Sequence, residues 1–193
     1  MAIIEHTPLY FYHLVDKNAD LKNGLLSLQY MYDHGMFRLF DKNAEKYEDR
    51  IVNGWNISKY KGKKLLTREE IIDALNTIRG PYGSSYIYFF RFPPYIKLGK
   101  KIKELSRTKD IYRIDINAAD VKSIILDISY GFDMNRTDNK RLNEEYYRSV
   151  SEKDYFANYN DNIRMNFSTI NHIGIAFKNG NCPRNLLEKV PWA

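Results

Sequence analysis

The sequence has one cysteine, Cys182, which excludes an internal disulfide framework and suits a reducing, cytoplasmic compartment. No apolar run approaches the roughly 20 residues that cross a bilayer. Mean hydropathy is −0.56, so no membrane span is expected. The opening MAIIEHTPLYFYHL lacks a basic region followed by a small-residue cleavage site, which predicts no signal peptide. The phosphate loop GxxxxGK[ST], the dinucleotide fingerprint GxGxxG, the zinc-protease HExxH and any paired CxxC are all missing. Four histidines, at positions 6, 13, 34 and 172, show no metal-ligand spacing, and no metal site is expected. Internal repeats and low-complexity linkers are absent as well.

What is present suits a single domain spanning residues 1–193. An apolar fraction of 44% over 193 residues can bury a core without staples. Charge is uneven. Residues 59–109 hold 13 Lys and Arg against 4 Asp and Glu, while the rest of the chain is slightly acidic. Such a segment can face phosphates, hence a nucleic acid, a nucleotide or another anionic ligand, or it can simply supply solvated helix faces. The 16 tyrosines, alongside abundant Asn, Ile and Lys, reflect a compositional bias and are not read as a binding surface.

Apolar spacing predicts alternating elements. Leu9–Val15 reads as a buried strand, and a helix starts after Ser27, breaks at Asp33-His34-Gly35 and resumes towards Trp55. Thr67-Arg68-Glu69-Glu70 is a capping box opening a helix that stops at Gly80-Pro81. Ser85–Arg91 is an aromatic strand closed by Pro93-Pro94, and a basic amphipathic helix is expected over 96–106. Asp110–Ile116 alternates as a strand, and Asn117 is expected to cap a helix carrying Val121, Ile124 and Ile125. Residues 131–140 read as a surface loop, and Ser151 to Asp154 as the start of a short helix. Asn171–Phe177 is a strand followed by an Asn179-Gly180 turn, with Pro183 opening a last helix, PRNLLEKV. The expected fold is α+β, with a mixed or antiparallel sheet and several peripheral helices.

His13 and His172 sit near strand ends, where an imidazole either bonds a neighbouring carbonyl or serves a ligand. Arg91, held between an aromatic strand and two prolines, can clamp a phosphate or carboxylate bidentately. Tyr82-Gly83-Ser84-Ser85 follows Gly80-Pro81 and offers close backbone approach and hydroxyls, as a ligand loop or a plain helix-to-strand turn would.

The order of these elements resembles the ADP-ribosyltransferase-like superfamily. The likeness rests on Leu9-Tyr10-Phe11-Tyr12-His13-Leu14 followed by Leu21-Lys22-Asn23-Gly24-Leu25-Leu26, and on Tyr86 to Pro93 as a middle aromatic strand. It extends to Asn171–Phe177 with the Cys182-to-Val190 segment, about a fifth of the chain in all. The resemblance implies a bound NAD or related nucleotide, with His13 on the nicotinamide ribose, Tyr88 or Tyr86 stacked on the nicotinamide and Arg91 on phosphate. Ser84 would be a further cofactor contact. If the chain is an enzyme, it would be a glycosyl transferase of that type, with His13, Tyr88 and His172 as catalytic candidates. The family's catalytic glutamate has no counterpart in MNFSTINHIGIAF, and Glu188 stands in the following segment. A noncatalytic nucleic-acid- or protein-binding module using residues 59–109 is the alternative.

Overall fold

The computed structural model describes residues 8–55, 57–79, 82–90, 93–94, 101–126 and 172–192. The chain is α+β, with its helices beside an antiparallel sheet. The strands are β1 (Tyr10–Asp16), β2 (Leu25–Leu26), β3 (Ile87–Phe90), β4 (Lys109–Asp115), β5 (Val121–Leu126), β6 (His172–Phe177), β7 (Asn181–Cys182) and β8 (Glu188–Val190). Six of them form one sheet in the order β5-β6-β3-β1-β4-β8, and β2 pairs with β7 in a small second ladder. The helices are α1 (Leu28–Asp33), α2 (Phe37–Asp49), α3 (Arg68–Arg79) and α4 (Ile102–Thr108). None of the described helices is long and apolar enough to cross a membrane.

Local chemistry explains most boundaries. Ser27 caps α1 by accepting from the Tyr30 N–H, and its own hydroxyl donates to the Gly180 carbonyl, tying the helix to the β6–β7 turn. The capping box closes reciprocally. Glu70 N–H donates to Thr67 Oγ1 at 3.2 Å and Thr67 N–H to Glu70 Oε2 at 3.1 Å. The Asn179-Gly180 turn forms with Gly180 N–H on the Phe177 carbonyl.

Strand alternation divides the sheet into two faces. Phe11, Val15, Ile87, Phe89, Ile173 and Ile175 share one face and join Leu25, Cys182 and Leu187 in a core. A second core, with Phe40, Ile51, Tyr60 and Leu75 at its centre, comes wholly from the helical stretch 28–75. That helical layer meets the sheet's other face, where Tyr86 and Tyr88 pack with Ala176.

Two expected helices are strands. Val121, Ile124 and Ile125 show helical spacing, but residues 121–126 form β5. Val121 pairs with Phe177 and Ser123 with Ala176, so one extra residue is inserted at Lys122. This bulge returns Val121 and Ile124 to the same face, which mimics a helical repeat. Asn117 lies in a single 3-10 turn over Ile116–Ala118, where Asp115 is the capping side chain. PRNLLEKV likewise forms only a 3-10 turn, Arg184–Leu186, and then β8, whose Glu188 and Lys189 pair with Arg113 and Tyr112 along the edge of β4. So short a stretch is marginal as a helix, whereas an unpaired sheet edge offers it backbone partners. The basic helix is observed from Ile102 onward. The expected loop at 131–140 and the helix at Ser151 lie outside the described residues.

Candidate functional site

The three strands that carry the family resemblance are contiguous: β6, β3 and β1 lie side by side in mid-sheet. Among the described residues, the His13 and Tyr88 side chains do not share one hollow. β1 pairs with β4 over seven residues, but its described pairing with β3 is confined to Tyr12 opposite Phe90. The His13 ring reaches β3, with Nδ1 2.6 Å from the Tyr88 carbonyl oxygen. A carbonyl only accepts, so Nδ1 carries the proton and, in the neutral ring, Nε2 is an acceptor. The imidazole lies against Phe89, with ring centroids 5.4 Å apart, on the face that bears the sheet core. Tyr88, the next residue along β3, projects to the opposite face, towards the helices.

The Tyr88 ring and the His13 imidazole therefore lie on opposite faces of the sheet. Tyr86 is buried, its hydroxyl 3.0 Å from Ser123 Oγ. Ser84 is also buried. Its N–H donates to Asn76 Oδ1 at 2.9 Å, and its hydroxyl lies 2.7 Å from Gln29 Oε1 and 3.0 Å from Asn76 Oδ1. Ser84 fastens the turn before β3 to the helices, and Tyr86 ties the start of β3 to β5. His172 opens β6 opposite Phe90. Its side chain, like the whole of Arg91, lies outside the described residues.

Another phenol stands beside His13, and another guanidinium beside that phenol. Tyr112 is its direct partner across the β1–β4 ladder, and such partners share a face with Cβ atoms about 5 Å apart. Tyr112 in turn opposes Lys189 of β8. The result is a cross-strand row, Phe89–His13–Tyr112–Lys189, that is half-buried at His13 and Tyr112 and exposed at Lys189. Arg184, from the turn before β8, holds its Cζ 5.7 Å from the Tyr112 ring centroid while Nη1 donates to the Leu187 carbonyl at 2.9 Å. Sequence reading missed both residues. Tyr112 was visible only as one member of the alternating DIYRIDI, and Arg184 was placed in a helix that does not form. On the same face two residues before Tyr112, Asp110 accepts from Lys189 Nζ at 2.8 Å, so this carboxylate is already paired. Below the row, burial pushes the Cys182 thiol up to about 12, which keeps it protonated.

The basic segment spends much of its charge internally. Lys59, Lys63, Arg68 and Lys109 pair with Asp73, Glu70, Asp41 and Asp16. Arg79 is buried against aromatic rings. Lys61, Lys64, Lys101, Lys103 and Arg107 are exposed, in two stretches well separated along the chain. Comparisons with family models, with characterised proteins and with solved structures returned no match.

Proposed function

We propose that this chain binds a nucleotide of the NAD type, in the manner of an ADP-ribosyltransferase-like binding module, at the row built around His13. The observation that carries this reading is the grouping of a tautomer-fixed imidazole, the half-buried ring of Tyr112 and the exposed guanidinium of Arg184 on one face of the sheet. A dinucleotide needs a flat ring for its base, a polar anchor for ribose and a cation for pyrophosphate. Tyr112 takes the stacking role that the resemblance gave to Tyr86 and Tyr88, His13 keeps the ribose and Arg184 takes the phosphate. Since Asp110 is paired with Lys189, the reading is one of binding and assigns no turnover.

Calorimetric titration of NAD and of ADP-ribose into the full chain tests it. The expected result is saturable binding of both, weakened tenfold or more in Tyr112→Ala and in Arg184→Gln. Absence of heat at millimolar NAD, or variants that bind like the parent, overturns the assignment. Arg184 is exposed, so its variant leaves the core intact.

A further inference from the structure

We propose that one end of the large sheet is a docking surface for single-stranded nucleic acid, built on the Trp192 ring and the cations Lys17, Lys103 and Arg107. Asp16 and Lys109 lie three residues beyond His13 and Tyr112 on their strands, which turns them to the opposite face. The surface is therefore separate from the His13 row and does not depend on the nucleotide reading.

Three segments far apart in the chain meet there through backbone groups. Lys17 N–H donates to the Thr108 carbonyl at 3.0 Å, and Lys109 N–H closes α4 on the Leu105 carbonyl. The Trp192 indole N–H donates to the Lys109 carbonyl at 3.0 Å. The end of β1, the end of α4 and the residues after β8 thus join at Thr108 and Lys109.

Positive charge at this junction exceeds what the fold uses. Asp16 accepts from Lys109 Nζ at 2.6 Å and Asp110 from Lys189 Nζ at 2.8 Å, so both carboxylates are already matched. Lys17, Lys103 and Arg107 are exposed and have no carboxylate partner among the described residues, and the same holds for Lys101 at the start of α4. Against these four cations stands one carboxylate in the same condition, Glu104. Lys103 and Arg107 are four residues apart, hence on one face of α4, where like charges repel and weaken the helix. A row of phosphates supplies the missing counter-charge.

Trp192 supplies the stacking surface. It is half-buried, its polar atom is held on the backbone, and its ring meets no other ring or cation among the described residues. A flat ring held in this way accepts a base of any sequence, and a single strand offers its bases where a duplex keeps them paired and stacked. A lipid surface asks instead for apolar side chains projecting beside the lysines. Among the described residues the exposed large hydrophobics are Phe37, Leu39 and Leu65, all in the helical layer and none at this junction.

The test is fluorescence anisotropy of labelled oligothymidine and oligouridine, each about 20 nucleotides long, with tryptophan emission recorded in parallel. A duplex of the same length and phosphatidylserine vesicles serve as the other probes. Saturable binding of a single strand is expected, with a fall in emission that Trp192→Phe removes. Binding of one oligomer alone assigns DNA or RNA. Three phosphate contacts predict affinity falling about twentyfold between about 50 and 200 mM salt, with a log–log slope near −2. Lys103→Gln combined with Arg107→Gln should reduce that slope by about 1.4, because two contacts are lost. Trp192→Ala is expected to weaken binding about tenfold or more, and Trp192→Phe, which keeps a ring, less. The Lys103 and Arg107 positions are exposed, so that variant retains the fold even where Trp192→Ala does not. No saturable binding of either oligomer at low salt overturns the proposal. So does tighter binding of duplex or vesicles, or a salt slope unchanged in the Lys103 and Arg107 double variant.

Discussion

Replacing Gly83 by alanine tests how the helical layer is fixed to the sheet. A Cβ added there would lie 2.0 Å from the Leu75 carbonyl oxygen, 2.6 Å from its carbon and 2.9 Å from Arg79 Cβ. The first two obstacles are backbone, so the loop must lift away from α3 by about 1 Å or more to reach a real contact distance. Overpacking of that kind costs about 1–3 kcal/mol. Lifting the loop also stretches the Ser84 bonds to Asn76 and Gln29, worth about 1 kcal/mol more. A total near 3 kcal/mol corresponds to a fall in melting temperature of about 6–12 °C for a chain of this size. Gly35→Ala supplies the contrast. Its φ is +65°, but nothing stands within 4 Å of the added Cβ, so only left-handed strain of about 1 kcal/mol is expected. Thermal and urea unfolding followed by circular dichroism measures both variants. Should Gly83→Ala lose no more stability than Gly35→Ala, the close packing of the Gly83 loop on α3 is not a constraint and the reasoning fails.

Cys182 is expected to resist alkylation in the native protein at pH 8 and to react on unfolding, as mass spectrometry of iodoacetamide-treated samples would show. Its folded pKa is raised, so the native state keeps a proton that the unfolded state releases above about pH 9. Stability from this group is therefore complete below that pH and falls as pH climbs towards 12, and Cys182→Ala should flatten the alkaline limb of the stability profile. The hydrogen bond from Tyr60, followed by that from Lys59, lowers the pKa of Asp73, so its contribution is present above the ordinary carboxylate range and lost as pH drops below about 4. Tyr60→Phe should cost about 1–2 kcal/mol at neutral pH and reduce the acid sensitivity measured by urea unfolding. Thr67→Ala removes the cap of α3 and should cost about 1 kcal/mol in the same assay.

Elements specified by local chemistry were legible from the sequence, and those specified by distant partners were not. The capping box at Thr67, the break at Gly35 and the aromatic run of β3 each carry their cause within a few residues. β5 was misread because a bulge at Lys122 gives a strand the spacing of a helix, and β8 because the edge of β4 captures a segment too short to stand as a helix. The site followed the same division. His13 was visible as a polar ring in an apolar strand, and its carbonyl partner on Tyr88 is one of the two roles foreseen for it. Tyr112 became relevant only through ladder register, which no single strand records. Arg79 looked like an ordinary basic residue at a helix C-terminus, where the dipole favours a cation, and only tertiary packing surrounds it with three rings.

The two cores differ in how far along the chain their parts are scattered. Residues 28–75 contain every fully interior member of the helical core, so that half can consolidate while later segments are still being synthesised. The middle of the large sheet cannot, because β3 must receive β6, some eighty residues downstream. Until then β3 presents a short apolar strand with no neighbour on one flank, a state that favours association between nascent chains. Production of this protein should accordingly respond more to slower translation and to chaperones that shield strands than to any change in the helical layer.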